Sequence, residues 1–464
     1  MPLHKDEIIE CSIESLAFGG RGVARVDGMA VFVAGALPGD VVTARVVKAK
    51  KRFAEAEAVS VVAPSAHRVK PRCPHFGECG GCAVQDLDYA EQVAQKADQV
   101  ENALRRIGGV ESLAMDPALP SPAVWNYRNK MEFVFEQRDN KLHLGLRAAQ
   151  AAGDKGLPPV VDIEECHLCA ERDVEILRLA REFAQGAGLP AFDPAANEGF
   201  WRHLVVRHTA LGEVMVHLIT SADEKLYGRA EELGETLVDR FPELTSFVHS
   251  SRSKRSLAAT GEKIVFRLGS RTVEEMVEHD GRQARYHIAP NAFFQTNTAG
   301  AGVLFGAVRE YGAFDGTETL LDLYCGCGAI GIFLADQVRK VVGYEISEEA
   351  VAKAWSSAKL NGLTNCEFTA GTLEGGDVLK GLPKADVLVI DPPRAGIHEN
   401  TAQAILKLAP AKILAVSCDP ATLARDVKRL SEAYELKRAR AVDMFPHTHH
   451  IETVALLERR PLEK

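Results

Sequence analysis

The chain has 464 residues, 46% hydrophobic and 26% charged, which at ~150 residues per domain suggests about three globular domains and excludes a disordered chain or a low-complexity fibre. Lys and Arg total 55 against 64 Asp and Glu, so the formal charge of −9 argues against a general polyanion binder but leaves room for a local basic surface. No apolar signal core opens the chain and no run approaches the ~18 apolar residues of a membrane span, so a cytoplasmic protein without membrane contact is expected.

Residues 8–62 read as short strands. Asp27-Gly28 between Val23–Val26 and Met29–Val33 is a hairpin turn, since Asp-Gly supplies the positive φ values that a type I′ turn needs. Several short strands without a helical period predict a small closed barrel over 1–62. Residues 41–72 carry eight Lys/Arg and two acids, a local +6 expected to face nucleic-acid phosphate.

The ten cysteines are too sparse for a disulfide scaffold, and several are clustered. Cys73-x5-Cys79-x2-Cys82, with Cys166 downstream, offers four thiolates on a loop that Pro71, Pro74, Gly77, Gly80 and Gly81 let wrap tightly. Zinc and an iron–sulfur cluster both suit four thiolates. Cys169 rivals Cys166 for the fourth place, because Cys166-x2-Cys169 is itself a C-x-x-C pair.

Ala90, Val93, Ala97, Val100, Leu104 and Ile107 recur at helical spacing until Gly108-Gly109 stops the run. This helix, within 84–110, is a candidate to pack on the C-terminal domain although it precedes the central one. The central region, 63–285, mixes strand-like and helix-like runs in an α+β pattern and contains Tyr127-Arg128-Asn129-Lys130, a polar-aromatic group suited to RNA. From 286 to 464 apolar strands alternate with helices. That rhythm predicts a doubly wound, mostly parallel, Rossmann-like α/β sheet with its ligands at the carboxyl ends of the strands. Tyr324, Glu345, Asp391 and Cys418 fall at those ends.

Leu321-Asp322-Leu323-Tyr324-Cys325-Gly326-Cys327-Gly328-Ala329-Ile330-Gly331 joins a strand to a helix through a glycine turn, and Glu345 follows where it can accept ribose hydroxyls. A dinucleotide and S-adenosylmethionine fit this geometry equally. Asp391-Pro392-Pro393-Arg394 favours methyl transfer: its prolines hold an extended loop without amide donors. Arg394 stands where an amine methyltransferase carries an aromatic.

Ser417-Cys418-Asp419-Pro420 puts a cysteine just ahead of a helix, where the positive helix end is expected to lower its pKa. A thiolate here explains methylation of a poor carbon nucleophile. Addition to carbon 6 of a pyrimidine makes carbon 5 electron-rich, and a base then removes the carbon 5 proton. Glu452, at the start of an apolar strand, is the candidate base. His447, His449 and His450 are alternatives for that role, and metal binding by them is the weaker reading.

Together these segments, with Asn291-Ala292-Phe293-Phe294-Gln295-Thr296-Asn297, resemble the RNA uracil-C5 methyltransferase family. The resemblance implies a class I methyltransferase domain at 286–464, Cys418 as nucleophile and Glu452 as base. It implies Gln295, Tyr324, Glu345 and Asp391 as S-adenosylmethionine contacts. The branch that acts on 23S ribosomal RNA carries the four-cysteine spacing with a [4Fe-4S] cluster, Cys166 being the fourth ligand by its sequence context, and an N-terminal RNA-binding TRAM barrel. That implies 23S rRNA as partner, with no obligate protein partner evident. A tRNA uridine-C5 enzyme, an RNA cytosine-C5 enzyme and a non-catalytic ribosome-assembly factor are the rival readings.

Overall fold

The computed structural model describes residues 3–150, 156–375 and 380–461. Strands β1 (Ile8–Ser12), β2 (Ser15–Leu16), β3 (Gly22–Val26), β4 (Met29–Ala34), β5 (Val41–Ala49) and β6 (Phe53–Ala63) form one sheet ordered β1-β5-β6-β4-β3-β2. Alternation along them sends Val31, Val33, Val42, Ala44, Val46, Ala54 and Ala56 into a shared core, and β1 packs back on β3, so the sheet curls on itself. Asp27 (φ 49°) and Gly28 (φ 79°) take the left-handed conformations the hairpin requires.

The basic stretch is only partly paired within the protein. Arg45 pairs with Glu57 and Lys48 with Glu55. Arg68 grips buried Asp40 with two nitrogens, at 2.7 and 2.9 Å, and reaches Asp86 at 2.8 Å. Lys50, Lys51, Arg52 and Lys70 remain exposed.

Helix α1 (Tyr89–Arg106) is capped by Asp88, whose side chain accepts from the Glu91 N–H. It buries Val100 and Leu104 against the C-terminal sheet's helix layer. Strands β7 (Lys130–Arg138), β8 (Lys141–Arg147), β9 (Val160–Asp162), β10 (Trp201–His208), β11 (Val214–Ser221), β12 (Leu244–Arg252) and β13 (Lys263–Gly269) form a second sheet, ordered β13-β12-β11-β10-β7-β8-β9. Helices α2 (Glu171–Ala187) and α3 (Tyr227–Arg240) pack on it. The hairpin β14 (Val273–His279) and β15 (Arg282–Ile288) turns the other way: Val273, Val277, Tyr286 and Ile288 enter the core of the C-terminal domain with helix α4 (Thr298–Gly312).

The C-terminal sheet contains β16 (Thr319–Leu323), β17 (Lys340–Glu345), β18 (Cys366–Ala370), β19 (Val387–Ile390), β20 (Lys412–Ser417), β21 (Tyr434–Val442) and β22 (Glu452–Arg459), ordered β18-β17-β16-β19-β20-β22-β21. The five strands from β18 to β20 are parallel, and β22 runs against both its neighbours. Along β20, Leu414 and Val416 join one core while Ile413 and Ala415 join the other, because helices cover both faces. On one side lie α4, α5 (Ala329–Leu334) and α6 (Glu348–Leu360); on the other lie α7 (Glu399–Leu408), α8 (Pro420–Leu430) and α1. Edge strand β21 escapes the apolar pattern because Arg438 and Arg440 interrupt it. They pair with Asp116 and Glu310 over the Tyr311 ring.

Candidate active site and cysteine cavity

The glycine turn is built by backbone geometry. Tyr324 (φ 64°), Gly326 (φ 55°) and Gly328 (φ 77°) are all left-handed, and space stands open where a Cβ on Gly326 would project. Glu345, the last residue of β17, accepts from the Gly326 N–H at 3.1 Å and the Ser347 N–H at 3.0 Å, which fixes its carboxylate beside the turn. Each oxygen keeps a lone pair for a further donor. The Tyr324 hydroxyl donates to Thr401 Oγ1 at 3.3 Å, so its ring leans under α7. Asp391 follows β19, and burial raises its carboxyl to about 6. Gln295 is 8% exposed, and its carbonyl accepts from Asn129 Nδ2 at 3.0 Å. Its neighbour Phe294 packs on Tyr286, whose hydroxyl donates to the Ala329 carbonyl at the start of α5. Gln295 is thereby held near the glycine turn.

Sequence reasoning passed over Asp322. It lies in the middle of β16, with Oδ2 accepting from the Gly331 N–H at 3.1 Å and Oδ1 buried without a partner. Burial pushes it to about 8, and Asp391 and Glu345 add to the rise. The available signal was a carboxylate inside an apolar strand directly before the turn. A Cβ on Gly331 would stand 2.9 Å from Asp322 Oδ2, so only glycine lets the helix approach this acid.

The prospective nucleophile and base lie on adjacent antiparallel strands. Ser417 pairs with Thr453, so continuation of that register brings Cys418 opposite Glu452. Cys418 is half-buried, and burial pushes its thiol up to about 11; Glu452 and Asp391 add to the rise and Arg394 opposes it. The helix-end expectation of a lowered pKa is therefore corrected: burial and two carboxylates outweigh one guanidinium and the start of α8. Glu452 is 6% exposed, and burial drives it well above the usual carboxylate range, aided by Asp391 and opposed by Arg394.

The histidines diverge. His447 stacks on Trp125 at 3.8 Å with Nδ1 facing Gln92, His449 meets the barrel residue Phe18 edge-on, and His450 Nδ1 faces Arg394 at 3.2 Å. Their loop is held from outside the sheet. Lys96 of α1 bonds Asp443 and the Phe445 carbonyl, Tyr127 donates to the Pro446 carbonyl, and Asn297 donates to that of Met444.

Cys73, Cys79, Cys82 and Cys166 line one small, partly open cavity between the glycine-rich loop and the central sheet. Burial raises the Cys79 thiol to about 11 and that of Cys82 to about 12. Cys169 is fully buried in the core of the central domain and does not line the cavity. Among the described residues no three His, Cys, Asp or Glu gather closely enough to hold a single metal ion.

A doubly wound sheet with an antiparallel last strand, a glycine turn after its first strand and an acid ending the next defines an S-adenosylmethionine-dependent methyltransferase. Residues 243–460 match the family described as tRNA (Uracil-5-)-methyltransferase, and residues 5–59 match the TRAM domain. A protein of Nitratidesulfovibrio vulgaris described as an uncharacterized RNA methyltransferase is 40% identical over 98% of this chain and 97% of its own. One of Caldanaerobacter subterraneus, described likewise, is 37% identical over 98% and 99%. The crystal structure of the Pyrococcus abyssi tRNA (uracil-54, C5)-methyltransferase with S-adenosyl-L-homocysteine superposes with a TM-score of 0.74 at 29% identity, covering 97% of this chain and all of that one. The chain belongs to the RNA uracil-5-methyltransferase family, with an N-terminal TRAM domain.

Proposed function

We propose that the protein methylates carbon 5 of a uridine in 23S ribosomal RNA through a covalent bond from Cys418 to carbon 6. The observation that carries this reading is the strand register that ends at Ser417 opposite Thr453, the residues flanking Cys418 and Glu452, with Asp391 and Arg394 in electrostatic reach of both. Gln295, Tyr324, Glu345 and Asp391 hold S-adenosylmethionine, which supplies an electrophilic methyl group. Cys418, half exposed, gives its proton to solvent; its thiolate Sγ bonds to carbon 6, and the displaced ring electrons make carbon 5 nucleophilic toward the methyl group, whose bond to the sulfonium would break as the new one forms. Once carbon 5 carries the methyl, a Glu452 carboxylate oxygen takes its proton, and the C6–S bond breaks to restore aromatic conjugation and free cysteine. Arg394 favours the anionic form of both residues. The uridine must leave its stack to reach this edge, and Phe293, 73% exposed two residues before Gln295, offers a ring on which a neighbouring base can stack.

The cysteine cavity supports a [4Fe-4S] cluster held by Cys73, Cys79, Cys82 and Cys166. Zinc is the alternative occupant of the same four thiolates. The cluster would staple the central domain, since methyl transfer from a sulfonium moves no net electron. For the domains, we propose a TRAM barrel at 1–62, a central domain at 63–285 and the methyltransferase domain at 286–464, working in the cytoplasm where RNA is processed. No described helix is long and apolar enough to cross a membrane.

The Pyrococcus abyssi enzyme, named for tRNA, matches nearly the whole chain, and that favours tRNA as the second reading. Mapping 5-methyluridine in ribosomal and transfer RNA from cells with and without the gene separates the two. Loss of a 23S site is expected; loss confined to tRNA replaces the rRNA reading. Trapping tests the chemistry. Glu452→Gln accumulates a Cys418–RNA adduct on denaturing gels and Cys418→Ala forms none; normal turnover by either variant removes that residue from its role.

A further inference from the structure

Arg207, near the end of β10, is 3% exposed, and both terminal guanidinium nitrogens are buried without a hydrogen-bond partner. The carboxylates whose charge it feels are engaged elsewhere. Glu275 accepts from the Ala210 and Met276 N–H groups and from Thr298 Oγ1, and Glu132 pairs with Lys130. A buried cation lacking acceptors destabilises a fold unless something supplies them.

Its position says what that is. Arg207 pairs in register with Met215, which lies in the core of the methyltransferase domain, so this face of β10 looks toward that domain. The guanidinium lies within electrostatic reach of the buried Cys327 thiol in the glycine turn. Its partner across the ladder is Lys130, and the residue before that, Asn129, holds the Gln295 carbonyl. Arg207 therefore stands where the glycine turn, Gln295 and the central sheet meet, while Glu345 sits at the ribose position. At 3% exposure the guanidinium is out of reach of a polymer phosphate.

We propose that Arg207 receives the carboxylate at the amino-acid end of S-adenosylmethionine, through its two unpartnered guanidinium nitrogens. The planar fork matches a carboxylate bidentately. The inference rests on the cofactor cleft being formed by Gln295, Glu345 and Asp391 as proposed above.

Calorimetric titration of the full-length protein with S-adenosylhomocysteine and with 5′-methylthioadenosine, which lacks the amino-acid end, tests it. Arg207→Met is expected to weaken S-adenosylhomocysteine on the order of 10- to 100-fold and to leave 5′-methylthioadenosine unchanged. Arg207→Lys recovers part of the loss. The ligand-free Arg207→Met protein melts no lower than the parent, because an uncompensated buried charge has gone. Equal loss of both ligands with a lower melting temperature makes Arg207 structural and overturns the proposal. Unchanged S-adenosylhomocysteine binding also overturns it. In that case Glu345→Ala locates the failure: weakening of both ligands keeps the cleft and rejects Arg207 alone, and no effect rejects the cleft itself.

Discussion

Lys96 Nζ lies 2.7 Å from Asp443 Oδ1, an ion pair 5% and 1% exposed that joins a helix ahead of the central sheet to the loop leading into Glu452. Lys96 also donates to the Phe445 carbonyl, and Gln92, one turn earlier on α1, accepts from the His447 N–H. The loop between β21 and β22 thus owes its shape to side chains brought from more than three hundred residues away. Lys96→Met is expected to destabilise the protein by about 3–5 kcal/mol, because Asp443 is left charged and buried. The double variant with Asp443→Asn should recover much of that loss. Urea unfolding of the four proteins checks it; additive losses would show that the pair does not act as a unit.

The Cys418 thiol, held near 11, is protonated at neutral pH. Its alkylation by iodoacetamide should therefore rise about tenfold per pH unit from neutrality to pH ~10, without a plateau. Arg394→Ala should slow it further at each pH by removing the opposing cation. Peptide mass mapping separates Cys418 from the other thiols. A plateau near pH 7 would show a thiolate already formed.

Asp322 gives a stability prediction with a definite sign. Burial holds it at about 8, against about 3.9 in an unfolded chain. Between those values the folded state keeps a proton that the unfolded state has released, so this group's contribution falls as pH climbs from about 4 to about 8. Asp322→Asn keeps an acceptor for the Gly331 N–H and removes the titration. Its melting temperature should exceed the parent's most at pH 8 and least at pH 4. A variant less stable at pH 8 would mean that the carboxylate is ionised in the folded protein.

Anaerobic reconstitution with iron and sulfide should load about four irons per chain and give visible charge-transfer absorption. Serine at Cys73, Cys79, Cys82 or Cys166 should lose both, whereas Cys169→Ser should keep them, since Cys169 lies outside the cavity. One tightly held, colourless zinc per chain would replace the cluster. Chelation of the loaded protein should lower its melting temperature, because the loop at 73–82 is then tied to the Cys166 segment only by packing and the hydrogen bonds of His75 with the Glu164 and Glu165 N–H groups.

Much of the site was legible because its chemistry is local. The hairpin at Asp27-Gly28, the glycine turn, Glu345 ending its strand, the proline-held loop after Asp391 and the cysteine ahead of α8 each follow from a few neighbouring residues. Strand β21 was not legible, because an edge strand needs no continuous apolar run and Arg438 and Arg440 break its pattern. In the basic stretch, composition already offsets Arg45 and Lys48 with Glu57 and Glu55, and folding adds only Asp40 and Asp86 opposite Arg68.

The sequence by itself therefore determined the strand–helix alternation of the C-terminal domain, apart from β21, and the kinds of side chain that stand at its strand ends, since backbone preference and spacing are short-range properties. Only the tertiary structure decided that the Cys418 thiol is raised, that Asp322 and Arg207 are buried with polar atoms unmet, and that Lys96 anchors the loop before Glu452. Burial and charge act through space, and the distances that set them exist only once remote segments have packed together.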